Sequence, residues 1–279
     1  MKAPLPLILM TLGAIALTPA ACAQAPQATS PVETRSGESF EPEVGQQGKD
    51  VIWVPTPQEL VDKMLDIAQV KPTDFLIDLG SGDGRTVITA AKRGLNALGI
   101  EYEPQMVELA KRRALEAGVQ DKARFEKADL FEADFSRAQV ITLFLLPSIN
   151  EKLRPKLLDL APGTRVVSNS FTMGDWEADD RAVLPSPCTS WCTALLWIVP
   201  AKVQGEWQVG RESLKLTQTF QKVSGTLGDQ SITEGQLRGK DITFKVGTRS
   251  YAGTVEGSQM QGRILAANGP QGSWSARRR

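Results

Sequence analysis

The ten residues Phe75–Gly84, FLIDLGSGDG, decide the fold of this chain. Their first half is a short apolar run, which predicts a parallel strand that is buried on both faces. Gly80, Gly82 and Gly84 then alternate with other residues, so the backbone can turn tightly and approach a ligand without interference from Cβ atoms. A helix opening at Arg85 would aim its N-terminal amides and positive dipole end at this turn. The stretch predicts a ligand-binding turn between a strand and a helix, and the alternative is an ordinary tight connection in a parallel sheet.

The charge and spacing of this turn indicate which ligands suit it. Dinucleotide-binding turns carry G-x-G-x-x-G, whereas the spacing here is G-x-G-x-G. Asp78 ends the strand and Asp83 lies within the turn, so two carboxylates flank the glycines. Carboxylates repel a pyrophosphate but attract a ligand that bears an ammonium or a sulfonium group.

The string DLGSGDGR at residues 78–85, with WVPTP upstream at 53–57, resembles the first motif of the class I S-adenosylmethionine-dependent methyltransferases. It is most similar to their seven-strand protein-lysine methyltransferase branch, and the resemblance covers residues 50–200. The resemblance implies an α/β fold with a Rossmann-like, doubly wound seven-stranded sheet, and S-adenosylmethionine as the cofactor. In this family the segment before the first helix closes over the amino-acid end of the cofactor, which implies a contact for Thr56. The alternative for Thr56 is a plain helix cap.

Two acidic residues after later strands complete the expected cofactor site. Glu101 follows a predicted strand over 96–100, about 20 positions beyond the glycines, where a carboxylate can accept hydrogen bonds from both ribose hydroxyls. Glu103 is its competitor. Asp129 matches the family's acid that accepts from the adenine amino group, and would otherwise be a turn former. The expected cofactor-binding residues are Thr56, Asp78, Gly80, Ser81, Gly82, Asp83, Gly84, Glu101 and Asp129.

The acceptor site is less defined by the sequence. Methyl transfer requires an acceptor held in line, exclusion of water and a deprotonated nucleophile. Many amino-methylating relatives carry Asn or Asp followed by prolines after the fourth strand, but this chain has FLLP at 144–147. The candidate substrate residues are therefore Phe144, Leu145, Leu146 and Phe171. The faces of Phe171 and Trp176 could attract a cation, with core packing as the alternative. No catalytic residue is identified.

The resemblance points to an amine acceptor, and a protein lysine is the favoured one. An apolar rim would favour the neutral amine by desolvation, although it would suit a neutral small molecule equally. The acids between Asp175 and Asp180 are interpreted as a solvated loop.

Composition excludes several other chemistries. The chain has no histidine, which excludes Ser-His-Asp triads and imidazole metal sites, and we expect no metal. Its 32 basic and 32 acidic residues give a formal net charge of zero, which argues against a nucleic-acid or anionic-membrane partner. Cys188 and Cys192 can form a disulfide only if Ser190 and Trp191 turn the chain, because a straight strand would hold them about 13 Å apart.

Four segments are predicted. Residues 1–23 are typical of a signal peptide cleaved after Ala23, which predicts a periplasmic or secreted protein; lipidation at Cys22 is the alternative, and Pro19 fits a lipobox poorly. A retained anchor is a further alternative. Residues 24–49 are predicted to be a disordered linker, 50–200 the methyltransferase domain and 201–279 a small β-rich domain. The alternating pattern of this last domain predicts a meander or small barrel of about five to seven strands, with a structural or partner-binding role.

Finer predictions concern single elements. Thr56 and Glu59 form a capping box for the first helix, with Pro57 as its first residue. The fourth strand covers 140–146, and a helix over 148–160 is kinked or broken near Pro155. The apolar run over 195–199 is predicted to be the antiparallel member of a hairpin at the edge of the sheet.

Three functions fit these patterns. The first is an exported methyltransferase that acts on an amine, with a protein lysine as the favoured acceptor. The second is a non-catalytic binding or scaffolding protein on the same frame, because S-adenosylmethionine is made in the cytoplasm. The third is a nucleotide-linked reductase, which the glycine spacing disfavours.

Overall fold

A mixed sheet flanked by helices occupies the first part of the computed structural model, which describes residues 40–266 and 269–279. Its strands are β1 (Phe75–Leu79), β2 (Asn96–Glu101), β3 (Ala123–Lys127), β4 (Val140–Leu143), β5 (Arg165–Asn169), β6 (Asp180–Val183) and β7 (Thr193–Ile198). Its helices are α1 (Gln58–Ile67), α2 (Arg85–Lys92), α3 (Pro104–Glu116) and α4 (Pro147–Leu158). The strand order is β3-β2-β1-β4-β5-β7-β6, and only the pairs made by β7 are antiparallel. The predicted seven-stranded, doubly wound sheet is confirmed.

Each face of the sheet has its own apolar core. Helices α1, α2 and α3 cover one face, where Leu60, Val87 and Val107 are buried against strand residues such as Leu76. Helix α4 lies on the other face with its buried residue Leu153. Since both faces are covered, the central strands read as continuous apolar runs rather than as alternating patterns.

Several element boundaries differ from the sequence-based expectation. Helix α1 begins at Gln58 with Pro57 as its N-cap and no side-chain capping bond, so the predicted capping box is wrong. The Thr56 hydroxyl instead accepts a hydrogen bond from the Asn169 side-chain amide at 3.3 Å, because it is turned towards the sheet. Pro155 lies inside α4 without ending it. Strand β4 ends at Leu143 because the chain leaves the sheet over residues 144–146 before α4 begins.

The edge of the sheet is an antiparallel hairpin of β6 and β7, which agrees with the prediction for residues 195–199. Strand β7 pairs with β5 on one side and β6 on the other, so it is the inner strand of that hairpin. The edge is β6, which begins at Asp180, a residue that the sequence assigned to a solvated loop. Its residues are mostly exposed, as expected of an edge strand that carries charge.

The last part of the chain forms a closed barrel of eight strands, where the sequence predicted five to seven. They are β8 (Gly205–Val209), β9 (Glu212–Thr219), β10 (Lys222–Leu227), β11 (Gln230–Arg238), β12 (Asp241–Val246), β13 (Arg249–Glu256), β14 (Gln259–Ala266) and β15 (Gly269–Arg278). Consecutive strands pair antiparallel, and β15 closes the barrel on β8. The interior is filled by aliphatic residues together with the aromatic residues Trp207, Phe244, Tyr251 and Trp274. Closure removes the exposed edges that an open meander would leave.

The barrel packs against the sheet domain through a small number of specific contacts. The Phe220 ring stacks on Trp176 with centroids 6.1 Å apart, and the Gln221 side-chain amide donates to the Glu177 carbonyl at 2.9 Å. Lys222 of the barrel also pairs with Glu177 at 2.7 Å. Within residues 40–266 and 269–279, no helix has the length and apolarity needed to cross a membrane. The predicted signal peptide lies outside the described residues.

Candidate cofactor and acceptor site

A cavity of about 540 Å³ opens at the carboxyl ends of β1, β2, β3 and β4. Its other wall is formed by residues 46–56 of the segment that precedes α1, which we call the strap (residues 40–56). The strap is held by hydrogen bonds between the Gly45 amide and the Trp53 carbonyl and between the Trp53 amide and the Gln46 carbonyl, both at 2.9 Å. Residues 40–49 of the predicted linker therefore have defined positions, since they bond to one another and to the sheet domain. The rest of that linker lies outside the described residues. A cavity of this size is suited to a small organic cofactor.

The glycine turn forms the floor of the cavity. Gly80, Gly82 and Gly84 have φ angles of 75°, 51° and 81°, which side chains rarely adopt. A Cβ atom at Gly82 would lie 2.7 Å from the indole nitrogen of Trp53 in the strap, so the turn and the strap pack directly on each other. The Ser81 hydroxyl is buried and has no hydrogen-bond partner among the described residues. The turn has the tight, glycine-dependent backbone that the sequence predicted, and the binding of a ligand there stays a prediction.

Asp78 supplies a buried carboxylate at the end of β1. It is 6% exposed and accepts a hydrogen bond of 2.6 Å from the Thr142 hydroxyl of β4. Burial raises the pKa of Asp78 to about 7, and the nearby charges of Glu101 and Asp83 raise it further, against the lowering effect of the threonine. A cation bound beside Asp78 would offset this cost, so the site favours an ammonium group.

Glu101 faces the glycine turn from the end of β2. One carboxylate oxygen accepts from the Gly82 amide at 2.8 Å, and the other accepts from the amides of Tyr102 and Glu103 at 2.8 and 3.0 Å. These bonds fix the carboxylate while leaving lone pairs for a diol. Glu103 also lines the cavity, but it forms the N-cap position of α3. Glu101 is thus the acid whose orientation the structure fixes towards the turn.

Asp83 has a different role from the one expected of a free acidic group in the turn. Its side chain is 3% exposed and pairs with Arg85 at 2.7 Å and with Arg113 of α3 at 2.5 Å. Burial raises the pKa of Asp83, but the two arginines outweigh it and the net pKa is lowered. Its charge is therefore compensated by arginines, and it ties the turn to α3.

Asp129 lies at the far end of the cavity, after β3. Lys49 of the strap donates to its carboxylate at 2.5 Å and stands 4.7 Å from the centre of the Tyr102 ring. The bond from Lys49 lowers the pKa of Asp129. The sequence missed Lys49 because it lies in a stretch almost without apolar residues, which carries no periodic signal.

The candidate substrate residues line the same cavity. Phe144, Leu145, Leu146 and Phe171 all contribute to its wall, at the ends of β4 and β5. Trp176 does not, because it is fully buried and packs against Trp197 at a centroid distance of 6.2 Å. Core packing, the alternative stated for Trp176, is what the structure contains.

Trp191 is an aromatic residue of the cavity wall that the sequence analysis missed. The chain turns at this residue, with a φ angle of 57°, and Cys188 and Cys192 form a disulfide with their Cα atoms 6.0 Å apart. The turn is the condition that the sequence set for this disulfide. The one available signal for Trp191 was a large aromatic residue beside a cysteine in a polar segment.

The fold and the cavity define a class I S-adenosylmethionine-dependent methyltransferase. Residues 78–180 match the family model of the ANTKMT methyltransferase domain. A solved RNA methyltransferase from Salinibacter ruber, in complex with S-adenosyl-L-homocysteine, superposes with a TM-score of 0.51 and 49% identity, covering 54% of this chain and 96% of that one. S-Adenosylmethionine is accordingly the cofactor, and the acidic cradle described above fits it.

The chain belongs, within that class, to the protein-lysine N-methyltransferase family. A protein-lysine N-methyltransferase of Saccharolobus islandicus (strain REY15A) is 45% identical over 129 residues, which are 45% of this chain and 80% of that protein. The adenine nucleotide translocase lysine N-methyltransferase of Mus musculus is 35% identical over 119 residues, 42% of this chain and 52% of that protein. The chain thus spans most of the archaeal relative but only about half of the mouse one.

Proposed function

We propose that this methyltransferase acts on the ε-amino group of a lysine in a protein, outside the cytoplasm. The observation that supports a lysine acceptor is that one cavity has two chemically different ends. Its glycine turn presents the buried carboxylate Asp78 and the fixed carboxylate Glu101. Its other end is an apolar and aromatic wall of residues 143–146 with Phe171.

The charge of the cavity supports a cationic acceptor side chain over a phosphate-bearing one. Six carboxylates line it, from Asp50, Asp78, Asp83, Glu101, Glu103 and Asp129. Only two cations do so, Lys49 and Arg85. Asp83 is compensated by Arg85 and Arg113. Asp129 is paired with Lys49. The excess of negative charge therefore comes from the other four carboxylates, and it attracts lysine and repels a nucleic-acid backbone. RNA remains the competing acceptor, because the Salinibacter ruber protein is described as an RNA methyltransferase.

The residues of the chain would bind the cofactor, orient the acceptor and exclude water from the site. The bound cofactor supplies an activated methyl group on sulfur. Asp78 would hold an ammonium group beside the turn, and Glu101 would accept from vicinal hydroxyls. The strap covers the turn through Trp53 and keeps bulk water out. Desolvation at the apolar wall would lower the pKa of a lysine ammonium, so the amine would release its proton to solvent as it enters and attack in the neutral form. This requires no histidine, and the chain has none.

Transfer of labelled methyl groups tests this acceptor. The purified protein and methyl-labelled cofactor are incubated in three separate reactions. The first contains cell-envelope protein extract, the second total RNA and the third a small-molecule extract. We expect label on lysine after acid hydrolysis of the protein fraction only. At low cofactor concentration Glu101→Ala should incorporate clearly less label, and Glu108→Ala on the exposed surface of α3 is the control. Label confined to the RNA or to the small molecules would reject the lysine acceptor while leaving the methyltransferase intact.

The location is a separate part of this proposal. It is supported by the signal-like sequence of residues 1–23 and by the disulfide between Cys188 and Cys192, since disulfides persist mainly in oxidising compartments. N-terminal sequencing of the protein from fractionated cells is the test. A chain that begins at Gln24 in the periplasmic fraction agrees with export, and an unprocessed chain in the cytoplasmic fraction contradicts it.

A further inference from the structure

A five-residue loop closed by a disulfide brings an aromatic side chain to the acceptor end of the cavity. Cys188 and Cys192 bracket the loop between β6 and β7, and Trp191 lies within it. Trp191 has a left-handed backbone with φ 57°, a conformation that is uncommon for a large residue and is often found at ligand sites. The residue stays 37% exposed although its ring packs beside two other aromatic side chains. Its packing therefore leaves part of the indole open.

Three rings from three separate segments meet here. The centroid of Trp191 lies 5.4 Å from that of Phe144, which follows β4, and 5.0 Å from that of Phe171, which follows β5. The two phenylalanine rings are stacked at 5.8 Å. All three residues line the cavity that holds Asp78 and Glu101. We call Phe144, Phe171 and Trp191 the aromatic wall.

The chemistry of the aromatic wall determines which amines it can bind. Faces of aromatic rings attract cations, and tryptophan does so most strongly. The rings of phenylalanine offer no hydrogen-bond acceptor, so replacing the N–H groups of an amine with methyl groups removes no bond to them. A methylated ammonium is also less hydrated and more easily desolvated. The aromatic wall is thus suited to mono- and dimethylated amines as well as to the unmethylated one.

We propose that Trp191 is a specificity-determining residue, held by the disulfide so that the aromatic wall retains partly methylated lysine for further transfers. This inference rests on the proposed lysine acceptor. It concerns the order of methylation that the enzyme reaches and the dependence of acceptor binding on an oxidised loop. Trp191 acts on the acceptor and not on the cofactor, since the residues that hold the cofactor lie at the glycine turn and beyond it.

The disulfide can be removed without removing a core side chain. Both cysteines are only partly buried and sit at the border of the apolar core of one sheet face. The Leu184 amide still bonds the Cys192 carbonyl at 2.8 Å through the backbone. Loss of the disulfide is therefore expected to free Trp191 while β6 and β7 stay paired.

The test measures binding of a probe to the full chain in the presence of S-adenosylhomocysteine. The probes are the peptide acetyl-Ala-Lys-Ala-amide with an unmodified, dimethylated or trimethylated lysine. We expect Trp191→Ala to weaken binding of the trimethylated peptide about tenfold and binding of the unmodified peptide less. Trp191→Phe should weaken binding of both peptides only slightly. Cys188→Ser with Cys192→Ser should follow Trp191→Ala. Val183→Ala, which truncates an exposed side chain of β6 outside the cavity, is the control.

Two readouts separate this role from a structural one. Titration with S-adenosylhomocysteine should be unchanged in Trp191→Ala, and mass spectrometry of labelled proteins should shift from trimethyl to monomethyl lysine. Three results would overturn the inference. One is a wild-type chain that binds none of the peptides, and another is a Trp191→Ala variant with unchanged peptide affinity and product distribution. The third is a Trp191→Ala variant that loses cofactor affinity as much as peptide affinity. Wild-type chain that puts no methyl group on any protein lysine would instead overturn the proposed function.

Discussion

Asp78→Asn is predicted to stabilise the cofactor-free protein at alkaline pH while weakening cofactor binding. The pKa of Asp78 is about 7 in the folded chain, against an ordinary value of 3.8. The protein therefore takes up a proton on folding between these two values. The contribution of Asp78 to stability is complete below pH 3.8 and is lost as the pH rises through 7. Asparagine carries no charge and keeps an oxygen that can accept from Thr142.

The magnitude follows from the difference between the two pKa values. One pKa unit corresponds to about 1.4 kcal/mol, so the full difference amounts to about 4 kcal/mol, of which about 3 kcal/mol falls between pH 5 and pH 8. This is an upper figure, because the polar turn relaxes around the charge. In a domain of this size it corresponds to a melting temperature lower by about 5–10 °C at pH 8.

Thermal unfolding and cofactor titration together test this reasoning. Wild-type protein without cofactor should lose stability between pH 5 and pH 8, and Asp78→Asn should lose clearly less. The same variant should bind S-adenosylmethionine about tenfold to a hundredfold more weakly at pH 8, through loss of a charge-assisted hydrogen bond. Wild-type affinity should fall as the pH drops through 7, where Asp78 becomes neutral. Asp50→Asn, an exposed carboxylate of the same cavity, is the matched control. Equal pH dependence in wild type and Asp78→Asn would refute the argument.

Three further substitutions test the cofactor end of the cavity. Glu101→Ala should weaken the binding of S-adenosylmethionine and of S-adenosylhomocysteine by about 1–3 kcal/mol in calorimetric titration. Unchanged affinity would remove Glu101 from the site. Gly82→Ala should lower both thermal stability and cofactor affinity, because its Cβ would meet the Trp53 indole at 2.7 Å with φ at 51°; Gly118→Ala, where φ is also positive but nothing lies near, controls for backbone strain alone. Lys49→Met should raise the rate of cofactor association in stopped-flow measurements, since the adenine amino group then meets no competitor at Asp129, and an unchanged rate would contradict that competition.

The sequence was most informative where function depends on local spacing. The alternating glycines, Asp78 at the end of its strand and Glu101 at the end of the next one could all be placed, because parallel strands bring their carboxyl ends to one edge. Contacts that depend on distant parts of the chain could not be predicted. Trp191 meets Phe144 and Phe171 from the loop that precedes β7, a strand that pairs antiparallel with β5.

Short or charged segments were the other source of error. Residues 40–49 look like a linker because they contain few apolar groups, yet hydrogen bonds and the Lys49–Asp129 pair hold them against the cavity. Strand β6 begins with Asp180 and is mostly exposed, so no alternation of apolar residues marks it. The barrel strand β15 contains glycine and proline among few apolar residues, which obscured the eighth strand.

The up-and-down order of the barrel has a consequence for how the chain folds. Its neighbouring strands are also neighbours in sequence, apart from the closure that pairs Trp207 with Arg278. The sheet requires a more distant pairing near its centre, where Leu76 of β1 lies beside Val140 of β4. Local pairings form faster than distant ones, because less chain entropy is lost before the contact is made. Pulse-labelling hydrogen exchange during refolding should therefore protect the amides of the barrel hairpins before those shared by β1 and β4, and before those that close the barrel between β8 and β15.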